Sequence, residues 1–404
     1  MNLLRRYPFT IALIVLVLAS ATNPLPPVVD AVTGAAADAD LVRPLPYILA
    51  APLSNVLDAL TFLSLDRARV FLASWLVALA LWGAVRRGSA WRRVARAVTG
   101  PLLLVALAAA TVLLPRPVPR LVVDDPAETT VIDYHAHTAA SHDGRRGWTA
   151  LDLARWHAAQ GFDASYVTDH NLVFADQSAA PADLPIPLLP GAEWSVFGQH
   201  VLALGEEAPI DRDPYNANTR GMLRIFADLH RHRALAIASI PEYWLNHWDD
   251  LDAFVKAGVD GFEIVNCAPK AIGFPARARA RVVALAKQHE LLLVGGSDNH
   301  GWGKVTCVWN LTQPGARGPA ANHVVARPVA LLQGDIPAWT AAFTQPWIML
   351  RSLSWPERVS WLTWLLVVFI YRAVPRRAGE HGLGIMARSL SLRILKIRRP
   401  PPGE

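Results

Sequence analysis

The stretch "DYHAHTAASHDG", residues 133–144, places three histidines and two aspartates within twelve positions. Imidazole and carboxylate groups together are the ligands that zinc, iron and manganese take in proteins. His135 and His137 lie two positions apart in a strand-like segment, so both side chains project from one face, with Asp133 beside them. This spacing predicts the first part of a metal site.

Further polar side chains follow other apolar segments that are predicted to be strands. Because active sites of barrel enzymes assemble at the C-terminal ends of the strands, we expect these side chains to converge with the first cluster. They are Asp169 and His170 in "VTDH", Glu193 after "LPGA", His200 before "VLALG", and Asp298 and His300 in "SDNH".

The remaining histidines in this part of the chain are interpreted separately. His247 lies in the loop "WLNHWDD" and is a weaker candidate for the site. Four others lie on predicted helices among basic or polar neighbours, and we interpret them as surface residues: His157, His230, His232 and His289.

From about residue 129, short apolar strands alternate with amphipathic helices. Such βα units, with nearly continuous apolar strands, are typical of a parallel sheet covered by helices. About seven repeats favour a closed barrel over an open sheet. The predicted helices are 148–161, 221–233, 251–258 and 276–289, and the predicted strands include 129–137, 163–170, 187–194, 200–205, 234–239, 261–266 and 291–298.

The charge distribution separates this region from the rest of the 404-residue chain, which is 52% hydrophobic with a mean hydropathy of +0.25. Residues 121–350 contain 17 Lys and Arg against 25 Asp and Glu, whereas the remainder contains 22 against 8. An acidic domain repels phosphodiester backbones, so no nucleic-acid partner is expected. The basic residues flank hydrophobic runs and are interpreted as membrane-topology charge.

Four hydrophobic segments are candidates for membrane spans. The segment 7–27 is short, and a cleaved signal peptide is an alternative to an anchor. Arginines in 86–96 and after 372 predict that these loops face the cytoplasm, so the acidic domain lies outside. Residues 41–65 are interpreted as interfacial or packed on the spans, and the Pro-rich residues 115–128 as an extended stalk. The other spans are 70–85, 97–114 and 359–374.

These patterns divide the chain into three regions. Residues 1–120 are the N-terminal membrane region, with about three spans, and residues 121–350 are the domain that contains the predicted metal site. Residues 351–404 contain the last span and a basic cytoplasmic tail, which could lie on an anionic membrane surface or be disordered. The predicted location is the inner (plasma) membrane, with the catalytic domain extracytoplasmic (periplasmic). Cys267 and Cys307 lack metal-site spacing, and two buried thiols are favoured over a disulfide.

The motifs in this order resemble those of the PHP family, named for polymerase and histidinol phosphatase domains. "DYHAHTAASHDG" resembles the first motif of the family and "GFDASYVTDHN" the second. "GAEW…HVLALG", "DGFEIVN" and "GGSDNH" are similar to the later ones, and the resemblance covers roughly residues 129–345. It implies an α/β fold, a distorted seven-stranded (β/α) barrel, here flanked by transmembrane helices. It also implies two or three divalent metal ions (Zn, Mn or Fe) and hydrolysis of phosphomonoesters or phosphodiesters.

The resemblance also implies roles for individual residues. Glu193 would bridge the first metal ion to a second ion, which His200 would help to hold. A third ion would use either His142 or Asp143, and the inserted histidine leaves that choice open. Either Asp298 or His170 would orient a metal-activated water or act as the general base. The implied ligands of the first metal are His135, His137, Glu193 and Asp298, and those of the third include His170 and His300.

One departure from the family pattern bears on activity. Ile240 in "ASIPEYW" stands where the family has a histidine, and Glu242 is a candidate substitute. A degenerate domain that binds metal or ligand as a membrane sensor or scaffold is therefore the alternative to a hydrolase. For the hydrolase, the expected substrates are a phosphorylated small molecule or a lipid headgroup, with membrane lipids as partners. Arg145 and Arg146 are candidates to bind the phosphate, although an exposed loop pair is the competing interpretation.

Overall fold

The structure is a computed structural model that describes residues 7–174, 183–205, 210–313 and 322–373. The chain divides into two compact units, one of Leu16–Trp361 and one that combines Met1–Val15 with Leu362–Glu404. In the smaller unit, the Tyr7 hydroxyl donates a hydrogen bond to the carbonyl oxygen of Arg372 at 2.8 Å. All predicted site residues lie in the larger unit. The predicted basic tail from residue 374 onwards lies outside the described residues.

The long apolar helices precede most of the strands and helices of the central domain in the chain. The helices are α1 Pro8–Ser20, α2 Leu45–Leu49, α3 Ala51–Thr61, α4 Leu65–Val85, α5 Ala90–Leu113, α6 Ala150–Ala159, α7 Thr219–Arg231, α8 Leu251–Lys256, α9 Ala276–Gln288, α10 Pro328–Leu332, α11 Ala341–Arg351 and α12 Trp355–Ala373. The strands are β1 Val29–Asp30, β2 Ala39–Val42, β3 Arg120–Val123, β4 Thr130–Asp133, β5 Ala164–Tyr166, β6 Leu188–Leu189, β7 Gly191–Val196, β8 Gln199–Leu204, β9 Leu235–Ser239, β10 Gly261–Asn266, β11 Leu292–Gly296, β12 Val308–Thr312 and β13 Asn322–Ala326.

Two sheets form the central domain, which is mixed α/β. One has six strands in the order β1-β13-β12-β4-β5-β6, and the other has five in the order β11-β10-β9-β8-β7. The pairs β4–β5, β5–β6, β9–β10 and β10–β11 are parallel, as the βα repeats predict. The pairs β7–β8, β8–β9, β12–β13 and β4–β12 are antiparallel.

The closed seven-stranded barrel is not found, because the two sheets stay open. Between them, isolated parallel bridges join Ala136 to Asn299 and His170 to Glu193, beside the predicted site. One reason why the barrel does not close is found in the segment "GAEWSVFGQHVLALG", residues 191–205. Phe197 and Gly198, with φ of 45° and 76°, form a two-residue turn between β7 and β8. Two residues suffice for an antiparallel hairpin but not for a parallel crossover.

The predicted helices of the central domain are found, with starts that their sequences explain. At the start of α6, the Thr149 side chain accepts from the Asp152 amide and the Asp152 carboxylate bonds back, which is a capping box. At the start of α7, the Asn218 side chain accepts from the Gly221 amide. The apolar face of α7 is fully buried, so it covers the five-stranded sheet.

Residues 115–128, which were predicted to be an extended stalk, pair with other segments of the fold. Strand β3 pairs with β2 in register, with Arg120 opposite Val42. Just before it, Arg116 lies 2.7 Å from the carboxylate of Asp58 on α3, and both side chains are buried. The Pro-rich sequence is extended, as predicted, but its side chains and backbone have partners in the fold.

The interrupted segment 41–65 folds as α2 and α3 and packs on other elements, which is one of the predicted arrangements. Arg327, ahead of α10, reaches the Asp58 carboxylate at 3.5 Å. The Gln345 side chain donates to the Ala59 carbonyl at 2.6 Å, and the Leu65 amide donates to the Pro269 carbonyl at 2.9 Å. These contacts attach the start of the long helices to the central domain.

In the part of the chain that the structure describes, α4 and α5 are long and apolar enough to cross a membrane, and α1 is apolar but shorter. The most apolar windows of α4 and α5 are only 11% and 6% buried, which is unlike core helices of a soluble protein. The two helices form an antiparallel hairpin. A Cβ atom at Gly83 would lie 2.5 Å from the backbone nitrogen of Ala97, so glycine permits their close approach there.

Candidate metal centre

The first donor group forms where the chain continues from β4 and where β11 ends. His135 and His137 are 1% and 0% exposed, and their Nε2 atoms point to the same place. From Asp298 Oδ1, the Nε2 atoms of His135 and His137 lie at 3.5 and 3.2 Å. From Glu193 Oε2, the same two atoms lie at 3.3 and 3.4 Å. Asp298 has φ of 48°, a rare conformation for a non-glycine residue that is often found at functional sites.

A second donor group shares Glu193, which lies in β7. Its Oε2 is 2.8 Å from His170 Nδ1, and its Oε1 is 2.5 Å from His200 Nδ1. The carboxylate therefore has one oxygen facing His135, His137 and His170 and the other facing His200. This is the geometry of a bridging carboxylate.

A third donor group lies nearer the surface. Asp143 Oδ1 is 3.1 Å from His300 Nε2 and 3.6 Å from His170 Nε2. His142 Nδ1 is 3.9 Å from Asp143 Oδ1, and its side chain is 77% exposed. The structure thus brings Asp143 closer to the other donors than His142. The indole of Trp302 holds this loop by donating to the Asp143 carbonyl at 3.1 Å.

The arrangement of these groups suits metal ions. Among the described residues, every buried His, Asp or Glu side-chain atom that has no hydrogen-bond partner lies in these groups. A buried polar atom without a partner is costly. Donors held about 2.0–2.1 Å from a tetrahedral ion lie roughly 3.3 Å from one another, close to the separations in the first group. These partnerless atoms are His135 Nε2, His137 Nε2, His170 Nδ1, His200 Nδ1, Glu193 Oε2 and Asp298 Oδ1.

The electrostatics of the cluster favour charged carboxylates. Burial alone would raise the pKa of Glu193, but His200 and His135 outweigh burial and hold it well below its usual range. The pKa of Asp298 is lowered in the same way, chiefly by His135. Burial would lower the pKa of His300, but Asp143 and Asp298 raise it to about 9. Several buried carboxylates therefore require cations, which are imidazolium groups or metal ions.

Glu263 in β10 was not predicted as a site residue. It is fully buried, its Oε1 lies 3.1 Å from His135 Nδ1, and its Oε2 accepts from the Ser239 hydroxyl. Burial raises the pKa of this carboxyl. A carboxylate on the outer nitrogen of a metal-binding imidazole fixes its tautomer and orientation. The signal in the sequence was a charged residue at the centre of the apolar strand "GFEIVN".

Replacing Glu263 by glutamine should therefore weaken metal binding without removing a metal ligand. We expect affinity for Mn²⁺ or Zn²⁺ to fall about 10- to 100-fold, the range for outer partners of metal-binding histidines. Titration calorimetry on the purified chain measures it. Glu128→Gln, at an exposed position, is the matched control. Equal affinities in the two variants would contradict a positioning role for Glu263.

Ile240 does not face the donor groups. It is 2% exposed and belongs to the main hydrophobic core. Glu242, two residues on, lies 3.7 Å from His200 Nδ1 through Oε2 and 3.1 Å from the Lys270 ammonium group through Oε1. The structure therefore places a carboxylate beside His200, near the position where the family has a histidine.

The other candidate residues have varied placements. Arg145 is partly buried and Arg146 is exposed, and the Arg145 amide donates to the His300 carbonyl at 2.8 Å.

The interpretation of His157 as a surface residue was wrong: it is 0% exposed, and its Nε2 lies 2.8 Å from the Asp133 carboxylate. That carboxylate also accepts from the Ser297 amide, which ties β4 to the end of β11. His247 contacts Asp250 and the Phe197 carbonyl.

Asp169 and Ser141 organise the loop around the donors. The Asp169 carboxylate accepts from the Thr138 amide and hydroxyl, each at 2.7 Å, and from the Ser141 hydroxyl at 3.0 Å. The Ser141 oxygen also lies 2.9 Å from His137 Nδ1. Asp169 therefore holds the loop, because both of its oxygens accept hydrogen bonds from loop residues.

The favoured interpretation of the cysteines was also wrong, because Cys267 and Cys307 form a disulfide bond. Cys267 follows β10 directly after Asn266, whose side-chain amide donates to Asp298 at 3.1 Å. Cys307 precedes β12. The bond thus joins two segments that flank the donor groups.

Fold and site together define a mixed α/β domain with a buried histidine and carboxylate cluster compatible with divalent metal ions. No protein-family model matches the chain, and no curated protein matches it. It is similar to the crystal structure of PsfC from Pseudomonas syringae, at 22% identity and a TM-score of 0.36, over 61% of this chain and 98% of that chain.

A second similar structure is a two-domain protein from Bacteroides vulgatus, described as containing a predicted PHP-like metal-dependent phosphoesterase. It is 16% identical with a TM-score of 0.30, over 51% of this chain and 63% of that chain. Both TM-scores lie below 0.5, so the functional proposal rests on the side chains of this chain.

Proposed function

We propose that the chain is a membrane-anchored, metal-dependent phosphoesterase of the PHP family that hydrolyses phosphomonoesters or phosphodiesters. The observation that carries the proposal is the convergence of partnerless buried donor atoms on Glu193 and Asp298. The order of the sequence motifs supports the choice of family. Zinc, manganese and iron all suit this mixture of imidazole and carboxylate donors.

His135, His137, Glu193 and Asp298 would hold the first ion, with His200 on the other oxygen of Glu193. Asp143, His170 and His300 would hold a third. When bound, such ions supply Lewis acidity that polarises a phosphoryl oxygen and acidifies water at neutral pH. Asp298 would orient the attacking water or accept its proton, with His170 as the alternative where it does not hold the third ion. Lys270 and Arg145, at the edge of the site, would bind phosphoryl oxygens.

We also propose that α4 and α5 anchor the protein in the inner membrane, with the metal centre on the extracytoplasmic side. The arginine-rich turn between these helices would then face the cytoplasm. The disulfide supports this side, because such bonds persist in oxidising compartments. A reporter that works only in the cytoplasm can be fused after Leu114. Activity of that fusion would contradict this orientation.

A membrane sensor or scaffold is the second candidate function. Its support is Ile240, which is buried in the core and cannot bind metal. Glu242 beside His200 argues against it, because a carboxylate there restores a donor. The two candidates differ in whether the metal-loaded chain turns over an ester.

The experiment that separates them uses the full chain purified in detergent. We expect hydrolysis of p-nitrophenyl phosphate or bis(p-nitrophenyl) phosphate that a chelator abolishes and Mn²⁺ or Zn²⁺ restores. Metal content is measured in parallel by mass spectrometry. Bound metal without turnover of any ester would favour the sensor, and absence of bound metal would contradict both the hydrolase and a metal-binding sensor.

A further inference from the structure

One cavity of about 870 Å³ joins the metal centre to the long apolar helices. Asp143, His170, His200, Asp298 and His300 line its polar end. The other end is lined by the residues that we call the apolar wall, which come from α3, its connection to α4, the start of α4 and the last turn of α5: Leu60, Leu63, Leu65, Ala68 and Val112.

The position of the apolar wall in the helical hairpin is informative. Leu65 is the first residue of α4, and Val112 lies in the last turn of α5. Because the two helices are antiparallel, these residues lie at the same end of the hairpin, opposite the arginine-rich turn. That end contacts the domain, through the bond between the Leu65 amide and the Pro269 carbonyl. The cavity therefore lies where the hairpin leaves the proposed bilayer.

The apolar surface continues from the wall to the outside of the protein. Leu113 and Leu114, next to Val112, are 59% and 54% exposed, and Leu65 itself is 39% exposed. A small soluble phosphate ester gains nothing from such a surface. An acyl chain that enters from the adjacent leaflet would remain in contact with apolar groups along this route.

The positive charge near the boundary between the metal centre and the apolar wall suits an anionic headgroup. Lys270 lines the cavity beside His200 and Glu242, and its side chain is 62% exposed. The same short loop contains Pro269, which binds the start of α4. A headgroup phosphate at the donor groups would thus have an ammonium group on one side and the apolar wall on the other.

We infer that the substrate is a membrane lipid with a phosphate-ester headgroup, whose acyl chain lies on the apolar wall while its phosphate reaches the metal centre. This inference rests on the proposed phosphoesterase function for the chemistry but not for the binding. The residues that would bind the acyl chain are those of the apolar wall, which lie outside the metal centre.

Photochemical labelling tests the binding directly. The full chain in detergent is irradiated with phosphatidic acid whose acyl chain bears a diazirine, and labelled peptides are sequenced. We expect label in residues 60–68 and 111–112, displaced by dihexanoyl phosphatidic acid but not by equal inorganic phosphate. Label only on the outer faces of α4 and α5, or equal labelling of the wall by a matching diacylglycerol probe that lacks the phosphate, would overturn the inference.

Kinetics with matched variants tests its consequence. Leu60→Asn alters the wall, whereas Leu53→Asn alters an exposed leucine of the same helix outside the cavity. We expect Leu60→Asn to lower the ratio of kcat/KM for phosphatidic acid to that for p-nitrophenyl phosphate about tenfold, and Leu53→Asn to leave it unchanged. Equal ratios in the two variants would overturn the inference. If no ester is hydrolysed at all, the proposed function fails, and the labelling pattern still decides the binding site.

Discussion

Replacing His135 by alanine is expected to abolish tight metal binding and hydrolysis together. His135 Nε2 faces both Glu193 and Asp298, and its Nδ1 is held by Glu263, so it joins two carboxylates that would share metal ions. Outer partners of metal ligands account for about 10- to 100-fold in affinity. Loss of an inner ligand should therefore exceed about 100-fold. Metal content after gel filtration and kcat/KM for p-nitrophenyl phosphate measure the two effects.

The control for this variant is His289→Ala, which removes an exposed histidine after α9. A thermal readout separates loss of a ligand from loss of the fold. Added Mn²⁺ should raise the Tm of the unaltered chain, because a ligand that binds only the folded state stabilises it. It should not raise the Tm of His135→Ala, whose Tm in chelator stays near that of the metal-free chain. Retention of metal and activity by His135→Ala would refute the proposed metal centre.

Removing the disulfide by Cys267→Ser together with Cys307→Ser is expected to destabilise the larger unit strongly. The bond closes a loop between cysteines 40 residues apart. Losing such a bond costs about 2 to 4 kcal/mol of folding free energy. For a unit of this size, that corresponds to a fall in Tm of roughly 3 to 6 °C. Differential scanning calorimetry of the full chain in detergent measures it.

Reduction supplies the control for the disulfide. A reductant should lower the Tm of the unaltered chain by a similar amount and leave the double variant unchanged. We also expect weaker metal binding in the variant, because Cys267 follows Asn266, which bonds to Asp298. A Tm of the unaltered chain that does not respond to reductant would show that the bond is not formed in the purified protein, and would remove its support for an extracytoplasmic location.

The spacing of residues was sufficient to predict several local features. Two-residue periodicity placed His135 and His137 on one face, and both Nε2 atoms do point to Asp298 Oδ1. Apolar periodicity predicted α6, α7 and α9, because this signal acts within one or two turns of helix. The sequence also indicated the apolar character of α4 and α5.

Other features depended on contacts between distant segments. The choice between His142 and Asp143 could not be made from a loop sequence, since it depends on where His300, more than 150 residues away, lies in the fold. The pairing of Cys267 with Cys307 also depends on contacts between segments far apart in the chain, and so does the burial of His157 against Asp133. The two-residue turn at Phe197 and Gly198 was a local signal, and strand counting overlooked it.

By itself, the sequence determined which residue types stand at the ends of strands, because side-chain direction alternates along a strand and polar residues interrupt apolar runs there. Only the tertiary structure decided how those ends meet. It divided the strands between two open sheets, brought Glu263 behind His135, and placed the ends of α4 and α5 against the cavity. The physical reason is that each of these outcomes depends on the packing of surfaces far apart in the chain, which no local spacing encodes.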